Sequence, residues 1–416
     1  MMRPGRWLPI TVFAVFTVLF FWKITFSDQY SMICLQDWGI QFYPWLHFSA
    51  YEIKYNHTLP LWDPFSLSGR NFVGEMQTAV FYPWTWLVSL GPIGRMLSVE
   101  WVQSWILLSF VWGAWVMYRC ARQFGLGRDG SIVAGLAFLF AGDLPRRAMT
   151  QVNIFNGALW LPVVLLFFSR ALQQKSVRQQ FKFTLLAGGA WGLSFLAGHH
   201  ESGLFIGLAV AFWTLLYVFR PTGAAGRKSA LVLLLFLAGF AFLAAAVQLI
   251  PSYQYSKSAY RWTGTLVRPG QEIPLDQLES TQQLEPRSLF SLFFPLIDAK
   301  GEAAIYFGIL PLLLALYGAL RARKLVAWRF AALAGFALFY SFSGYSMVHG
   351  VLASAVPVLR LARAHSRILW VFHFALAMLA GAGAETLLQD LNRGDRRTLR
   401  KRKSQIAKPF LNIFYG

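Results

Sequence analysis

The chain has 416 residues, of which 56% are hydrophobic and only 13% are charged, and its formal net charge is +20. Soluble domains are nearer to about 45–50% apolar and about 25% charged residues. This composition excludes a soluble globular enzyme and a disordered chain, and a total of 2 cysteines excludes a disulfide-rich secreted module.

Ten apolar segments approach the roughly 20 residues that a membrane-spanning helix needs. A further apolar stretch, 78–91, contains Pro83 and is too short to span, so we predict a re-entrant or interfacial helix there. The sequence therefore predicts an all-α polytopic membrane protein with about ten transmembrane helices. The predicted spans lie near residues 7–26, 97–118, 129–142, 153–170, 182–198, 203–219, 229–250, 303–320, 327–343 and 367–388.

The distribution of lysine and arginine predicts the orientation of these spans. If the N-terminus is cytoplasmic, the segments on that side carry the whole net charge of +20, while the other side is balanced. Positive-inside bias accounts for this charge without a nucleic-acid partner and predicts that both termini are cytoplasmic. Residues 391–416 form a basic cytoplasmic tail, for which a topology signal is the simpler explanation and contact with anionic lipid the alternative.

Most acidic residues fall on the opposite, extracytoplasmic side. Two long loops lie there, 27–96 and 251–302, together with a shorter one, 344–366. Function concentrates where loops are long and polar groups converge. We therefore expect the functional face outside, at the membrane surface.

Within the first long loop, apolar residues recur at helical spacing from Trp38 to Tyr55, which predicts a helix lying along the interface. Asp37 stands directly before this helix. A helix cap is the simpler interpretation of that position. The alternative is a carboxylate held outside the first span, facing a lipid-borne substrate.

The sequence GHHES at a helix junction contains His199, His200 and Glu201. These residue types bind metals, but adjacent side chains on a helix point about 100° apart, so both imidazoles rarely serve one ion. A polar cluster lining an outer cavity is the favoured interpretation. Metal binding at the site is unknown from the sequence, and a divalent cation stays open as a cofactor.

Two arginines precede the last predicted span, on the side where the positive-inside bias disfavours them. Arg363 and Arg367 are four residues apart and would share one helical face. Their planar guanidinium groups suit phosphate, which they bind through paired hydrogen bonds. Pairing with loop acids such as Glu302 is an equally good explanation. ATP-driven transport by this chain alone is disfavoured, because it has no phosphate-binding GxxxxGKS/T sequence.

Several segments together resemble the YfhO-like family of bacterial membrane proteins, over residues 37–385. They are QDWGIQFYP, which contains Asp37, Gln41, Tyr43 and Pro44, then PLWDPFSLSG followed by AVFYP, AGHHES, EAAIYFGILPLLLAL, and LRLARAHSRILW followed by GAGAE. That family is similar to integral-membrane glycosyltransferases of the GT-C fold. The resemblance implies a GT-C-like transmembrane domain over residues 1–390.

The resemblance also implies a reaction: transfer of a sugar from a polyprenyl-phosphate donor to a cell-surface glycan or polymer acceptor, at the outer face of the bacterial inner membrane. Asp37 matches the carboxylate that serves such enzymes as base or metal ligand. The expected substrate-binding residues are Gln41, Tyr43, His199, His200, Glu201, Glu302, Tyr306, Arg363 and Arg367. A transporter or flippase of lipid-linked sugars is the first alternative. A noncatalytic subunit of an envelope complex is the second, because members of the family are usually longer.

Overall fold

The computed structural model describes residues 7–27, 37–262, 266–267, 283–294, 305–322, 327–362 and 364–414. These residues are helical apart from connecting turns and two small antiparallel hairpins. Strand β1 (Trp62–Asp63) pairs with β2 (Arg70–Asn71), and β3 (Arg261–Trp262) pairs with β4 (Leu266–Val267). The predicted all-α class is confirmed.

Part of the first long loop, residues 38–56, folds into a continuous helical run, as its apolar spacing predicts. Helix α3 (Tyr43–Tyr51) is flanked by π-helical turns over Trp38–Phe42 and Glu52–Asn56. Its apolar face is buried in the protein core. The other helices of the N-terminal half are α1 (Leu8–Phe20), α2 (Trp22–Thr25), α4 (Pro83–Ser89), α5 (Val99–Gln123), α6 (Arg128–Phe140), α7 (Leu144–Thr150), α8 (Val152–Ala158) and α9 (Trp160–Gln173).

Long helices dominate the C-terminal half. They are α10 (Val177–Leu196), α11 (His200–Phe219), α12 (Arg227–Ser256), α13 (Ile309–Arg321), α14 (Ala327–Ser341), α15 (Met347–Ala355) and α16 (Leu369–Phe414). Helix α16 continues through the predicted basic tail, 391–416, as far as Phe414. Short 3₁₀ segments cover Met76–Thr78, Pro286–Leu292, Ser343–Tyr345, Pro357–Leu361 and His365–Ile368.

Over the residues that the structure describes, every predicted span contains helical structure. Within the described residues, 4 helical segments are long and apolar enough to cross a membrane: Val152–Gln173, His200–Phe219, Arg227–Ser256 and His365–Arg393. Two further apolar helices, α1 and α13, are shorter. The helices are therefore those of a membrane protein, and the number of about ten spans stays a prediction. The stretch 78–91 contains only the short helix α4, and its re-entrant or interfacial position also stays a prediction.

Helix α16 forms the centre of the bundle. In its most apolar part 94% of the residues are buried, and it packs against α6, α13 and α14. Helix α12 lies at the periphery, where it packs along α10 and only 28% of its most apolar part is buried. A helix that is apolar all round and largely uncovered by protein suits contact with lipid.

Glycines allow α6 and α16 to touch through their backbones. A methyl group added at Gly130 would lie 2.6 Å from the carbonyl oxygen of Gly381. Close approach through small residues is the usual way in which helices pack in a membrane, since lipid supplies no hydrophobic driving force between them. This contact fixes the central helix against the N-terminal half.

The close approach predicts that Gly130→Ala destabilises the protein. The added methyl group forces the two backbones apart, at a cost of about 1–3 kcal/mol. Thermal unfolding in detergent measures the loss. Gly239→Ala in α12 is the matched control, because no atom lies within 4 Å of its added methyl group. A midpoint for Gly130→Ala equal to that of the control would contradict the packing.

Candidate functional site

Three of the long apolar segments begin at the same end of the bundle, here called the site face. They are Val152–Gln173, His200–Phe219 and His365–Arg393. At this face, the Asn153 side-chain amide donates to the Gly198 carbonyl over 3.4 Å, directly before α11. Helix N-termini carry partial positive charge. The site face is therefore electrostatically suited to an anion.

A buried ion pair joins the start of α11 to the segment that leads into α16. Arg367 Nη1 donates to Glu201 Oε2 over 2.8 Å, and the Ala364 backbone N–H donates to Glu201 Oε1 over 3.1 Å. Both charged side chains are almost fully buried, at 8% and 3% exposure. The sequence left two explanations for Arg367, phosphate binding and pairing with an acid. The structure shows the second, with Glu201 as the acid.

The same arginine fixes the tautomer of His199. Arg367 Nη1 lies 3.1 Å from His199 Nε2, and because a guanidinium only donates, Nε2 is the acceptor and Nδ1 carries the proton. Burial, together with the charges of Arg367 and Arg147, holds the pKa of the His199 imidazole well below its usual range, although Glu201 opposes this. The buried Nδ1–H has no hydrogen-bond partner and lies 4.0 Å from Glu201 Oε2.

The half-buried ring of His200 stacks on His199, with 5.3 Å between ring centroids. Within the part of the chain that the structure describes, no group of three or more His, Cys, Asp or Glu side chains is placed to bind a metal ion. The arrangement is a polar cluster around a buried ion pair.

A second buried ionic group, Asp143 with two arginines, lies at the N-terminus of α7. Arg147 Nε donates to Asp143 Oδ2 over 2.7 Å, and Arg146 Nη2 lies 2.8 Å from Oδ1. Burial opposes ionisation of Asp143, but Arg147 and Arg146 outweigh it and lower the pKa of the carboxyl group. Two cations thus share one carboxylate, so these three side chains together carry one positive charge.

Asp37 does not cap the helix that it precedes, because its carboxylate accepts no hydrogen bond from that helix. Instead, Gln151 Nε2 donates to Asp37 Oδ2 over 3.4 Å, and Gln151 Oε1 accepts from Arg147 Nη1. One amide side chain therefore links the half-buried Asp37 carboxylate to the Arg147–Asp143 pair. The sequence reasoning identified Asp37 but missed Asp143, Arg147 and Gln151.

Two other predicted residues lie beside this network. Gln41 Nε2 donates to Gln77 Oε1 over 2.7 Å, and the Gln77 carbonyl accepts from the Asn153 amide over 2.5 Å. Gln41 is thus connected to the start of α8. Tyr43 is buried and its hydroxyl donates to the Leu97 carbonyl, so in this state the hydroxyl holds a loop in place.

Tyr306 is half-buried next to Ile305, whose carbonyl accepts from His373 Nε2 over 3.1 Å. His373 Nδ1 in turn accepts from the Asp143 backbone N–H over 3.3 Å. The Tyr306 segment is therefore attached to the second ionic group. Glu302 and Arg363 lie outside the described residues, and their assignment stays a prediction.

A histidine pair that the sequence reasoning missed lies close to Glu201. Ser343 Oγ lies 3.0 Å from His365 Nδ1 and 3.4 Å from His349 Nδ1. The serine has one O–H, so it donates to the Nδ1 atom of one ring and accepts from the Nδ1–H of the other. The first ring then carries its proton on Nε2, which is a donor, and the Nε2 atom of the second ring is an acceptor. Both Nε2 atoms and the Tyr340 hydroxyl are buried without a hydrogen-bond partner.

No protein-family model matches the chain, and no curated protein matches it. Among solved structures, it is similar to the apo oligosaccharyltransferase of Archaeoglobus fulgidus, at 15% identity and a TM-score of 0.48 over 96% of this chain and 52% of that one.

The chain is also similar to oligosaccharyltransferase AglB of that organism bound to an inhibitory peptide and a dolichol-phosphate. The identity is 16% and the TM-score 0.46, over 97% of this chain and 52% of that one. The chain spans about half the length of these proteins. Similarity of this extent assigns no activity, and the GT-C-like fold stays a prediction.

The buried ion pair predicts that Glu201→Gln is strongly destabilising. The substitution leaves the Arg367 guanidinium buried beside a neutral partner, which costs about 3–5 kcal/mol. Glu201→Gln combined with Arg367→Gln restores part of the loss, since no uncompensated charge remains. Thermal unfolding in detergent measures all three variants.

Asp129→Asn is the control for this series, because its ion pair with Arg128 is exposed and contributes less than about 1 kcal/mol. Equal midpoints for Glu201→Gln and Asp129→Asn would show that the buried pair does not support the fold.

Proposed function

We propose that this chain is a membrane glycosyltransferase. It moves a sugar from a polyprenyl-phosphate donor to a cell-envelope acceptor, a cell-surface glycan or polymer, at the extracytoplasmic face. The observation that carries the proposal is the position of Asp37: a half-buried carboxylate, not used as a helix cap, linked through Gln151 to a group of net positive charge. A base beside a cationic group is what transfer from a phosphate leaving group requires.

Asp37 is the proposed general base. As the acceptor hydroxyl oxygen forms a bond to the anomeric carbon of the sugar, its proton passes to the Asp37 carboxylate. The bond between the anomeric carbon and the phosphate oxygen breaks, and its electron pair stays on the phosphate. A positioned base contributes about 10²–10⁴-fold to the rate of such a step.

The leaving phosphate gains negative charge, which the cationic group at the start of α7 would stabilise. Arg146 is the best-placed donor of this group, since its side chain is 36% exposed while Arg147 and Asp143 are buried. The charge of Arg367 is already balanced by Glu201, so its proposed role shifts from phosphate binding to support of His199. Arg363 is retained as a phosphate ligand on the grounds of its sequence position and guanidinium chemistry.

Sugar or acceptor hydroxyls would contact the remaining polar side chains of the site face. The unpartnered Nδ1–H of His199 is a ready donor for a ligand oxygen. His200 lies beside it, and Gln41 is connected to the start of α8 through Gln77. Tyr43, Tyr306 and Glu302 complete the proposed set on the strength of the sequence resemblance.

The proposed location is the bacterial inner membrane, with both termini in the cytoplasm. Support comes from the concentration of positive charge on one side of the predicted spans, which the positive-inside bias explains. On that orientation the site face is extracytoplasmic. The donor would keep its polyprenyl tail in the bilayer while its sugar reaches Asp37.

Asp37→Asn tests the proposal. The neutral amide cannot take the proton of the acceptor hydroxyl group. We therefore expect sugar transfer to fall by about 10²–10⁴-fold with unchanged thermal stability. The measurement is mass spectrometry of acceptors after incubation of the protein, reconstituted in lipid, with polyprenyl-phosphate sugars. Glu100→Gln, which removes an exposed acid that accepts a hydrogen bond from Ser98, is the control and keeps full activity.

Full activity of Asp37→Asn would remove Asp37 from the catalytic role. No transfer by the folded wild-type chain, with sugar flux into vesicles, would establish the transporter or flippase instead. Transfer that arises only after a second envelope protein is added would establish the noncatalytic subunit.

A further inference from the structure

An open cavity of about 530 Å³ lies between α10 and α12, away from the site face. Arg178 and Lys182 lie in the first two turns of α10 and are exposed. Among the residues that line the cavity none is acidic, so its charge is wholly positive. The lining residues are Arg178, Gln179, Phe181, Lys182, Leu185 and Phe240.

The charged side chains of this cavity lie at one end, with Phe181 between them, and apolar side chains continue beyond that end. Arg178 and Lys182 occupy one end, and Leu185 lies about 10 Å from Arg178 along the helix axis. A methyl group added at Gly188 of α10 would contact the Cβ atom of Phe240, so Phe240 lies at the level of Gly188. Along the helix axis, that level is about 15 Å from Arg178. A cavity with cations at one end and apolar walls beyond them matches an amphiphile with an anionic head.

The length of α10 separates these cations from the site face. Helix α10 has 20 residues and ends two residues before Gly198 of the site. At 1.5 Å per residue it is about 30 Å long, close to the thickness of a bilayer hydrocarbon core. If α10 spans the membrane as predicted, the cations lie at the level of the lipid headgroups in the leaflet opposite the site, and the apolar walls lie at the level of the acyl chains.

We propose that the cavity between α10 and α12 binds an anionic phospholipid of that leaflet. The headgroup phosphate contacts Arg178 and Lys182, and one acyl chain lies along Phe181, Leu185 and Phe240. Helix α12 presents mostly uncovered apolar surface here, so the cavity is open to lipid. Basic pockets between helices on the cytoplasmic side of membrane proteins bind anionic headgroups in this way. The proposal depends on the membrane location and not on the proposed glycosyl transfer.

The test compares lipids added to the full chain in neutral detergent. Phosphatidylglycerol is expected to raise the thermal midpoint and to give a discrete bound species in native mass spectrometry, while phosphatidylcholine does neither. Arg178→Gln with Lys182→Gln weakens phosphatidylglycerol binding roughly 30-fold, from the attraction of two basic residues to an anionic headgroup. Lys175→Gln with Arg227→Gln is the control, because it removes the same charge from exposed positions outside the cavity.

A second variant separates the cavity from the charge. Leu185→Trp fills the apolar end at an exposed position without changing the net charge, and we expect it to weaken phosphatidylglycerol binding with an unchanged lipid-free midpoint. Equal binding of phosphatidylcholine would overturn the proposal, and so would full binding by the Arg178/Lys182 double variant. Inorganic phosphate that reproduces the whole effect would show an ion site instead of a lipid site.

Discussion

The buried ion pair between Glu201 and Arg367 is the constraint on which the site face depends. Neither charge is stable alone in a low-dielectric interior, so each side chain must lie where the other is. The pair fixes the start of α11 against the segment before α16, although its two members are 166 positions apart in the sequence. His199 takes its tautomer from the same guanidinium, and the Ala364 backbone N–H is satisfied by the same carboxylate.

A second pair, Asp143 with Arg147, extends this arrangement to the start of α7, and Gln151 connects it to Asp37. The proposed base is thus held by a chain of buried polar contacts and not by the helix that follows it. Such a chain places the Asp37 carboxylate beside positive charge while leaving it half-exposed. Rigid support of this kind is what a catalytic carboxylate needs in order to meet a substrate in one orientation.

The sequence was sufficient for the helices because apolar runs and their spacing are local properties. The helical run from Trp38 to Asn56 follows its apolar pattern, and within the described residues every predicted span contains one or more helices. The breaks were not predictable in this way: α1 ends at Phe20, and Leu159 separates α8 from α9. The pattern of apolar and polar residues indicates which face of a helix is buried. It does not indicate where the helix's backbone hydrogen bonds are interrupted.

The site was only partly predictable, for a different reason. The partner of Arg367 is set by tertiary packing, so a loop acid and Glu201 were indistinguishable from the sequence alone. The Asp143 group did leave a local signal, since an acid followed at three and four residues by Arg146 and Arg147 can pair within one helical turn. These arginines also stand on the side that the positive-inside bias disfavours, and the predicted site omitted them.

Photo-crosslinking tests most directly whether a lipid-linked sugar binds at the site face. A polyprenyl-phosphate sugar with a photoreactive group on the sugar would be incubated with the reconstituted chain, and the labelled peptides mapped by mass spectrometry. We expect labelling of the segments that contain Asp37 and Arg146, and excess unlabelled donor suppresses it. Labelling confined to other parts of the chain, such as the cavity between α10 and α12, would contradict it.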